Sequence, residues 1–237
     1  MKRFWDVASV NPTAAGFEIL LDGKPMRLPS GAPLTVTAPR LAEAIAAEWQ
    51  AAGGAKGGEM SFADTPLTRL AGTAAERIPP DPAPTIDAIA RYGETDLLCY
   101  RAETPQALVQ RQQQQWTPWV EWAALTLDAP LRVTAGVGYL KQHHDCITAL
   151  KQAVAAQTPD TLAALGIAVP ALGSLVLGLA LAAGALDGET AYALGALDEL
   201  FQVEQWGEDE EAASRRAAIR ADVLLAERYI ALTRRDA

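Results

Sequence analysis

Between Phe17 and Asp22 the chain alternates, with Phe17, Ile19 and Leu21 on one side of the period and Glu18, Leu20 and Asp22 on the other. A period of two reads as a half-buried strand. Asp22-Gly23 is the two-residue turn that folds such a strand back on itself. Met26 and Leu28 continue the return strand, Pro29 to Pro33 turns again, and Leu34 to Thr37 is a further short strand. The period then changes. Leu41, Ile45 and Trp49 recur at a spacing of four behind Pro39, which predicts a helix with proline in its first turn. Gly53-Gly54 ends it, and after a loop from Ala55 to Thr65 a second short helix is expected around Leu67 to Glu76.

Pro79-Pro80-Asp81-Pro82-Ala83-Pro84 places four prolines in six residues, a composition that continues neither a helix nor a central strand. The segment reads as a stiff connector, 79–84, between a β-rich domain over 1–78 with one or two short helices and a domain over 85–237. Everything in the second domain carries helical signals. Thr85 can cap a helix bearing Ile86 and Ile89, and Thr104-Pro105 supplies a cap and a first helical residue for a helix to about Leu127. A helix from about Tyr139 to Gln157 follows, Thr158-Pro159-Asp160 starts the next, and Asp187-Gly188 precedes one running to Trp206. In the last helix Ile219, Val223, Ala226 and Ile230 form an apolar stripe, with Arg215, Arg216, Arg220 and Glu227 beside or opposite it. The fold class expected is therefore α+β, a small β-rich N-terminal domain followed by a larger all-helical one.

About 26 residues from Thr161 to Leu186 carry no charge, enough in length to span a bilayer. Pro170 interrupts the run, and Gly166, Gly173, Gly178 and Gly184 weaken it as an isolated helix. A buried core helix preceded by a shorter one is the expectation; a membrane-associated factor is the alternative.

Composition narrows the function classes. Half of the 237 residues are hydrophobic and 21% are charged, which excludes a disordered chain. Cys99 and Cys146 could close one bridge at most. The net charge is −9, about six units of it from Asp187 onward, and no basic run offers a face to nucleic acid. No apolar signal-peptide core follows Lys2-Arg3, and the start lacks the arginine- and serine-rich character of a transit peptide, so a cytoplasmic location is expected.

Candidate chemistry is sparse. Gly53 to Gly58 is followed by Glu59-Met60, where a phosphate loop needs lysine and then serine or threonine; no nucleotide is expected. His143, His144, Asp145 and Cys146 are consecutive, and helical neighbours diverge by about 100°, so they cannot converge on a metal. Glu199 and Asp96 could be imagined as an acid and base, but no spacing supports an enzyme, and no cofactor is implied.

Two features remain. Trp116, Trp119 and Ala123 share a helical face with Leu108 and Gln112 and read as core, whereas Trp122 faces elsewhere and would suit an interface. Between Asp198 and Glu211 there are seven acids and no base. Leu194, Leu197 and Phe201 form the apolar stripe of that helix, and Glu199, Gln202 and Trp206 line a different face.

Read together, Leu21 to Pro25, Glu48-Trp49, Pro66 to Leu70, Thr95 to Ala102, Gln115 to Pro118 and Asp198 to Gly207 occur in the order of one family. The chain resembles the ATP synthase assembly chaperones that hold the free alpha subunit of the F(1) sector, in a bacterial form. Thr65 stands where that family usually has methionine, and Phe201 where tyrosine or tryptophan is common. The resemblance implies a two-part fold and a non-enzymatic protein that neither binds nor hydrolyses ATP. It also implies a partner, the alpha subunit, capped until the beta subunit replaces the chaperone. An unassembled subunit exposes apolar surface, and a cap that must later leave suits a modest, charge-complementary interface. The partner-binding residues expected on this basis are Glu199, Gln202, Glu204 and Trp206.

Overall fold

The structure is a computed structural model that describes residues 1–136 and 138–234. They form two compact units, one of Met1–Pro82, Pro159–Ala164 and Arg228–Ala237, the other of Ala83–Thr158 and Leu165–Glu227.

In the first unit, β1 (Ala8–Thr13) pairs antiparallel with β2 (Gly16–Leu21), from Ala8 opposite Leu21 to Thr13 opposite Gly16. On the other side of β2, β3 (Lys24–Pro25) and β4 (Thr35–Val36) pair in succession, Leu20 with Pro25 and Phe17 with Val36. The Asp22-Gly23 turn has positive φ at both residues, 48° and 75°, the geometry that matches strand twist in a two-residue hairpin. Asp22 also accepts hydrogen bonds from the Asp6 and Val7 amides, 2.9 Å each, and these hold its carboxyl below the usual range. The return strand, Lys24–Pro25, is shorter than Met26 and Leu28 suggested, although the Met26 amide still donates to the Ile19 carbonyl at 2.8 Å. The first strand was not anticipated; it contains Pro12, but β1 pairs only with β2 among the described strands, and an edge strand tolerates proline.

The helix α1 (Pro39–Ala51) buries Leu41, Ile45 and Trp49 as their spacing predicted. Its C-terminal carbonyls meet a buried cation: Arg3 donates to the oxygens of Gln50, Ala52 and Gly54 as well as Trp5 and Asp6. The next helix, α2 (Pro66–Gly72), is capped from α1. Glu48 accepts from the Leu67 and Thr68 amides at 2.7 and 3.1 Å, and Trp49 Nε1 donates to the Thr68 hydroxyl at 2.7 Å. Two blocks distant in sequence, Glu48-Trp49 and Pro66 to Leu70, are thus one capping arrangement. A π-helical turn, Thr73–Arg77, continues α2.

In the second unit α3 spans Ala83–Ala90, so Thr85 lies inside the helix it was expected to cap. Short 3₁₀ turns at Arg91–Thr95 and Leu97–Cys99 lead to β5 (Tyr100–Arg101) and to α4 (Gln106–Thr126). Pro105 is the cap of α4 behind a cis peptide bond, not its first helical residue. β6 (Thr134–Ala135) pairs parallel with β5, a two-residue exception within an otherwise helical region. α5 (His144–Ala155) starts after His143, later than the expected Tyr139.

The uncharged stretch forms two helices, α6 (Pro159–Leu172) and α7 (Leu175–Ala183). The break falls at Gly173, φ 63°, not at Pro170, and the first helix is the longer one. Among the described residues no helix is long and apolar enough to cross a membrane. The Ser174 side chain caps α7, and Asp96, fully buried, closes the same helix end. It accepts from Ser174 Oγ at 2.8 Å, the Val176 amide at 3.0 Å and the Leu98 amide at 3.1 Å. Burial pushes the Asp96 pKa up against the pull of these donors. α8 (Gly188–Gly195) and α9 (Leu197–Trp206) are separate helices with Ala196 between them, and α10 (Glu210–Thr233) ends the described chain. The last turns of α10 and the start of α6 belong to the first unit, where the Tyr229 hydroxyl donates to Asp160 at 2.7 Å.

Candidate partner-docking surface

The position of α9 is set from α4. Trp116, fully buried, donates from Nε1 to the Leu194 carbonyl at 2.9 Å, and Gln112 donates to Asp198 at 2.7 Å. Gln112 also accepts from the Ala102 amide, while Arg101 donates to the Gln112 and Leu98 carbonyls and lies 5.2 Å above the Trp116 ring. Three of the sequence blocks, Thr95 to Ala102, Gln115 to Pro118 and Asp198 to Gly207, therefore meet in one network. Leu194, Leu197 and Phe201 are buried, but the stripe they were expected to form on one helix is shared by α8 and α9. Burying Leu197 and Phe201 is worth about 1.5–3 kcal/mol each, against at most about 1 kcal/mol for an exposed ion pair. Apolar burial holds α9; its ion pairs orient it.

Those pairs lie on two flanks. On one, Arg111 of α4 donates to Glu204 at 2.7 Å and sits 5.1 Å over the Phe201 ring. The hydrogen bond lowers the Glu204 pKa and raises that of Arg111. On the other, Glu199 lies 3.4 Å from Arg215 and 3.8 Å from Arg216 of α10, and Arg216 donates to Glu208 at 2.8 Å. Asp198 is half-buried, and desolvation raises its pKa. Asp209 caps α10 by accepting from the Ala212 amide at 2.8 Å.

The four expected partner-binding residues fare differently. By helical spacing Glu199, Gln202 and Trp206 follow one another along the same side of α9, and Gln202 is exposed. Trp206 ends the helix 79% exposed. Glu204 is exposed on the Arg111 flank, and the Glu199 side chain is 43% exposed between two arginines. The sequence reading missed Arg216, placed there beside or opposite the apolar stripe; it is buried. Its position seven residues before Val223 and fourteen before Ile230 puts it on the helical side that those two bury.

Elsewhere, Trp119 and Trp122 are half-buried with ring centres 6.2 Å apart, and Leu125 is 88% exposed. Asp96 is sealed among its donors, so it makes no acid–base pair with Glu199. Among the described residues no group of three or more His, Cys, Asp or Glu side chains could hold a metal ion.

A family profile described as ATP12 chaperone protein matches residues 2–124. The crystal structure of Atp12 from Paracoccus denitrificans is 41% identical over 98% of both chains, with a TM-score of 0.90. A chaperone-class protein from Agrobacterium tumefaciens is 39% identical over 97% of this chain and 84% of its own, with a TM-score of 0.87. The shared architecture and the matched profile define an assembly chaperone, not a catalyst. The chain belongs to the ATP12 chaperone family, the assembly factors of the F1-ATPase, whose partner is a subunit of ATP synthase. The α9–α10 surface lies beyond the profile match and within the structural one.

Proposed function

We propose that the chain works in the bacterial cytoplasm, holding the unassembled alpha subunit of F1 until the beta subunit takes its place. It docks that subunit through α9 and the turn to α10, using Glu199, Gln202, Glu204 and Trp206. The observation that carries this reading is Trp206, a large aromatic side chain left 79% exposed at the end of a helix in which Leu197 and Phe201 are buried and Leu200 and Val203 are half-buried. Tryptophan is the residue most often found at the energetic centre of an interface. Its neighbours along the chain, Gln202, Glu204, Gln205 and Glu208, are all exposed, polar residues of the kind that rim such anchors. The family's assembly role and the resemblance to alpha-subunit chaperones support the choice of partner.

The test is co-expression with the alpha and beta subunits of the same organism, followed by affinity capture. Alpha should be retained, and added beta should displace the chaperone from it. Capture of beta alone, or of neither, would refute the proposal.

A further inference from the structure

We propose that Arg216 is the positioning residue of this surface, and that Glu199 serves partner binding through Arg216 and not by touching the partner. The inference rests on the docking role proposed for α9 and its turn, and it assigns roles within that surface. Arg216 is on the buried side of α10, its side chain 7% exposed. A guanidinium carries five donors in a fixed fork and no acceptor, so at such burial its position is dictated by the carboxylates it reaches. Those are Glu199, the third residue of α9, at 3.8 Å, and Glu208, just past Gly207, at 2.8 Å.

The two acids stand on either side of the Trp206-Gly207 corner. One cation thus fixes both the body of α9 and the point from which the chain leaves it. Gly207 is held through its amide, which donates to the Val203 carbonyl at 2.9 Å, but it has no side chain to fix the corner. Its φ is +87° and a side chain there would meet nothing within 4 Å. The Trp206 ring makes no hydrogen bond or ring contact with any described residue, so the path of the backbone, which sets the direction of its Cα–Cβ bond, and its own rotamer decide where it points. Glu199, meanwhile, has Arg215 at 3.4 Å besides Arg216. Both guanidiniums lie on the same oxygen, Oε2, so the charge there is already shared within the chain before a partner arrives. The carboxylates of Glu210 and Glu211, exposed and unpaired among the described residues, remain available to it.

A double-mutant cycle separates the two roles, because residues that act as a unit lose additivity. The affinity of the purified full chain for purified alpha subunit is measured for wild type, Glu199→Gln, Arg216→Lys and the double variant. Lysine keeps the charge but cannot span both acids. Glu199→Gln should weaken binding about tenfold in the wild-type background and less than about twofold in the Arg216→Lys background. Equal losses in both backgrounds would mean that Glu199 meets the partner directly, and no loss in the wild-type background would remove it from the surface; either result overturns the inference. Amide hydrogen exchange over residues 206–210 reads the turn without a partner. It should accelerate in Arg216→Lys, and also in Glu208→Gln, whose exposed side chain can be changed without disturbing the core. Unchanged exchange in both variants overturns the positioning role. Wild type failing to bind alpha would instead refute the docking proposal, with the exchange result still deciding whether Arg216 sets the turn.

Discussion

The segments Thr95 to Ala102 and Asp198 to Gly207 are both short blocks with an aspartate among their first two residues, and they end in opposite environments. Asp96 is fully buried and takes its hydrogen bonds from the Val176 and Leu98 amides and the Ser174 hydroxyl. The α9 block is tied down at its start, where Asp198 receives Gln112, and becomes more exposed along its length until Trp206 stands in solvent. What separates them is the kind of donor that meets each acid. Backbone amides at a helix start are fixed in space and cannot be given up without unfolding that end. The arginines that meet Glu199, Glu204 and Glu208 are side chains, whose ion pairs can be remade when a partner arrives. The first block is a knot that locks α7; the second is a surface held in shape.

The comparison breaks most visibly at Asp96. Asp96→Ala leaves three donors facing no acceptor in the core, and should lower unfolding stability by about 3 kcal/mol or more. Urea denaturation checks it, and a loss below about 1 kcal/mol would mean that the knot does not exist. A smaller effect of the opposite sign is expected at Thr65, which is fully buried with an Oγ1 that finds no partner among the described residues. Thr65→Val keeps the shape and removes the unsatisfied hydroxyl, so stability should rise by about 1 kcal/mol; a lower melting temperature would contradict this reading.

The smallest effect sharpens the contrast through pH. The folded pKa of Asp96 is raised above its ordinary 3.8, so its contribution to stability is fully present below that value and is lost as pH rises through the folded pKa. Glu204 is shifted the other way by Arg111. Its contribution is present above the ordinary 4.5 and is lost as pH falls through the folded pKa. Subtracting the urea midpoints of Asp96→Asn and of Glu204→Gln from those of wild type across the acid range should therefore give slopes of opposite sign. Slopes of the same sign would show that the two acids sit in equivalent settings.

The mixed α+β class was legible because its two periods differ: alternation over Phe17 to Leu21 and four-residue spacing from Leu41 to Trp49 leave little choice of element. Asp22-Gly23 was legible for the same kind of reason, since few residue pairs accept two positive φ angles. Breaks were harder. Pro170 is accommodated inside α6, while the chain turns at Gly173. Ala196 separates α8 from α9 with no proline to announce it, although Gly195 marks the close approach of Leu172, 3.0 Å from where a side chain would begin. Within the candidate surface, the exposed face of α9 could be read from spacing alone. Its supports could not, because Arg111 with Glu204 and Gln112 with Asp198 join positions with no periodic relation. Arg216 was hidden by its charge: a cation on an apolar stripe is read outward unless its carboxylates are known.

Equilibrium binding of purified alpha subunit to wild type and to Trp206→Ala, with thermal melting of the same preparations, tests the docking surface most directly. Because the ring is exposed, the variant should keep its stability within about 0.5 kcal/mol while its affinity falls about thirtyfold, the loss of roughly 2 kcal/mol typical of an interface anchor. A variant that melts like wild type and binds alpha as tightly would contradict the account.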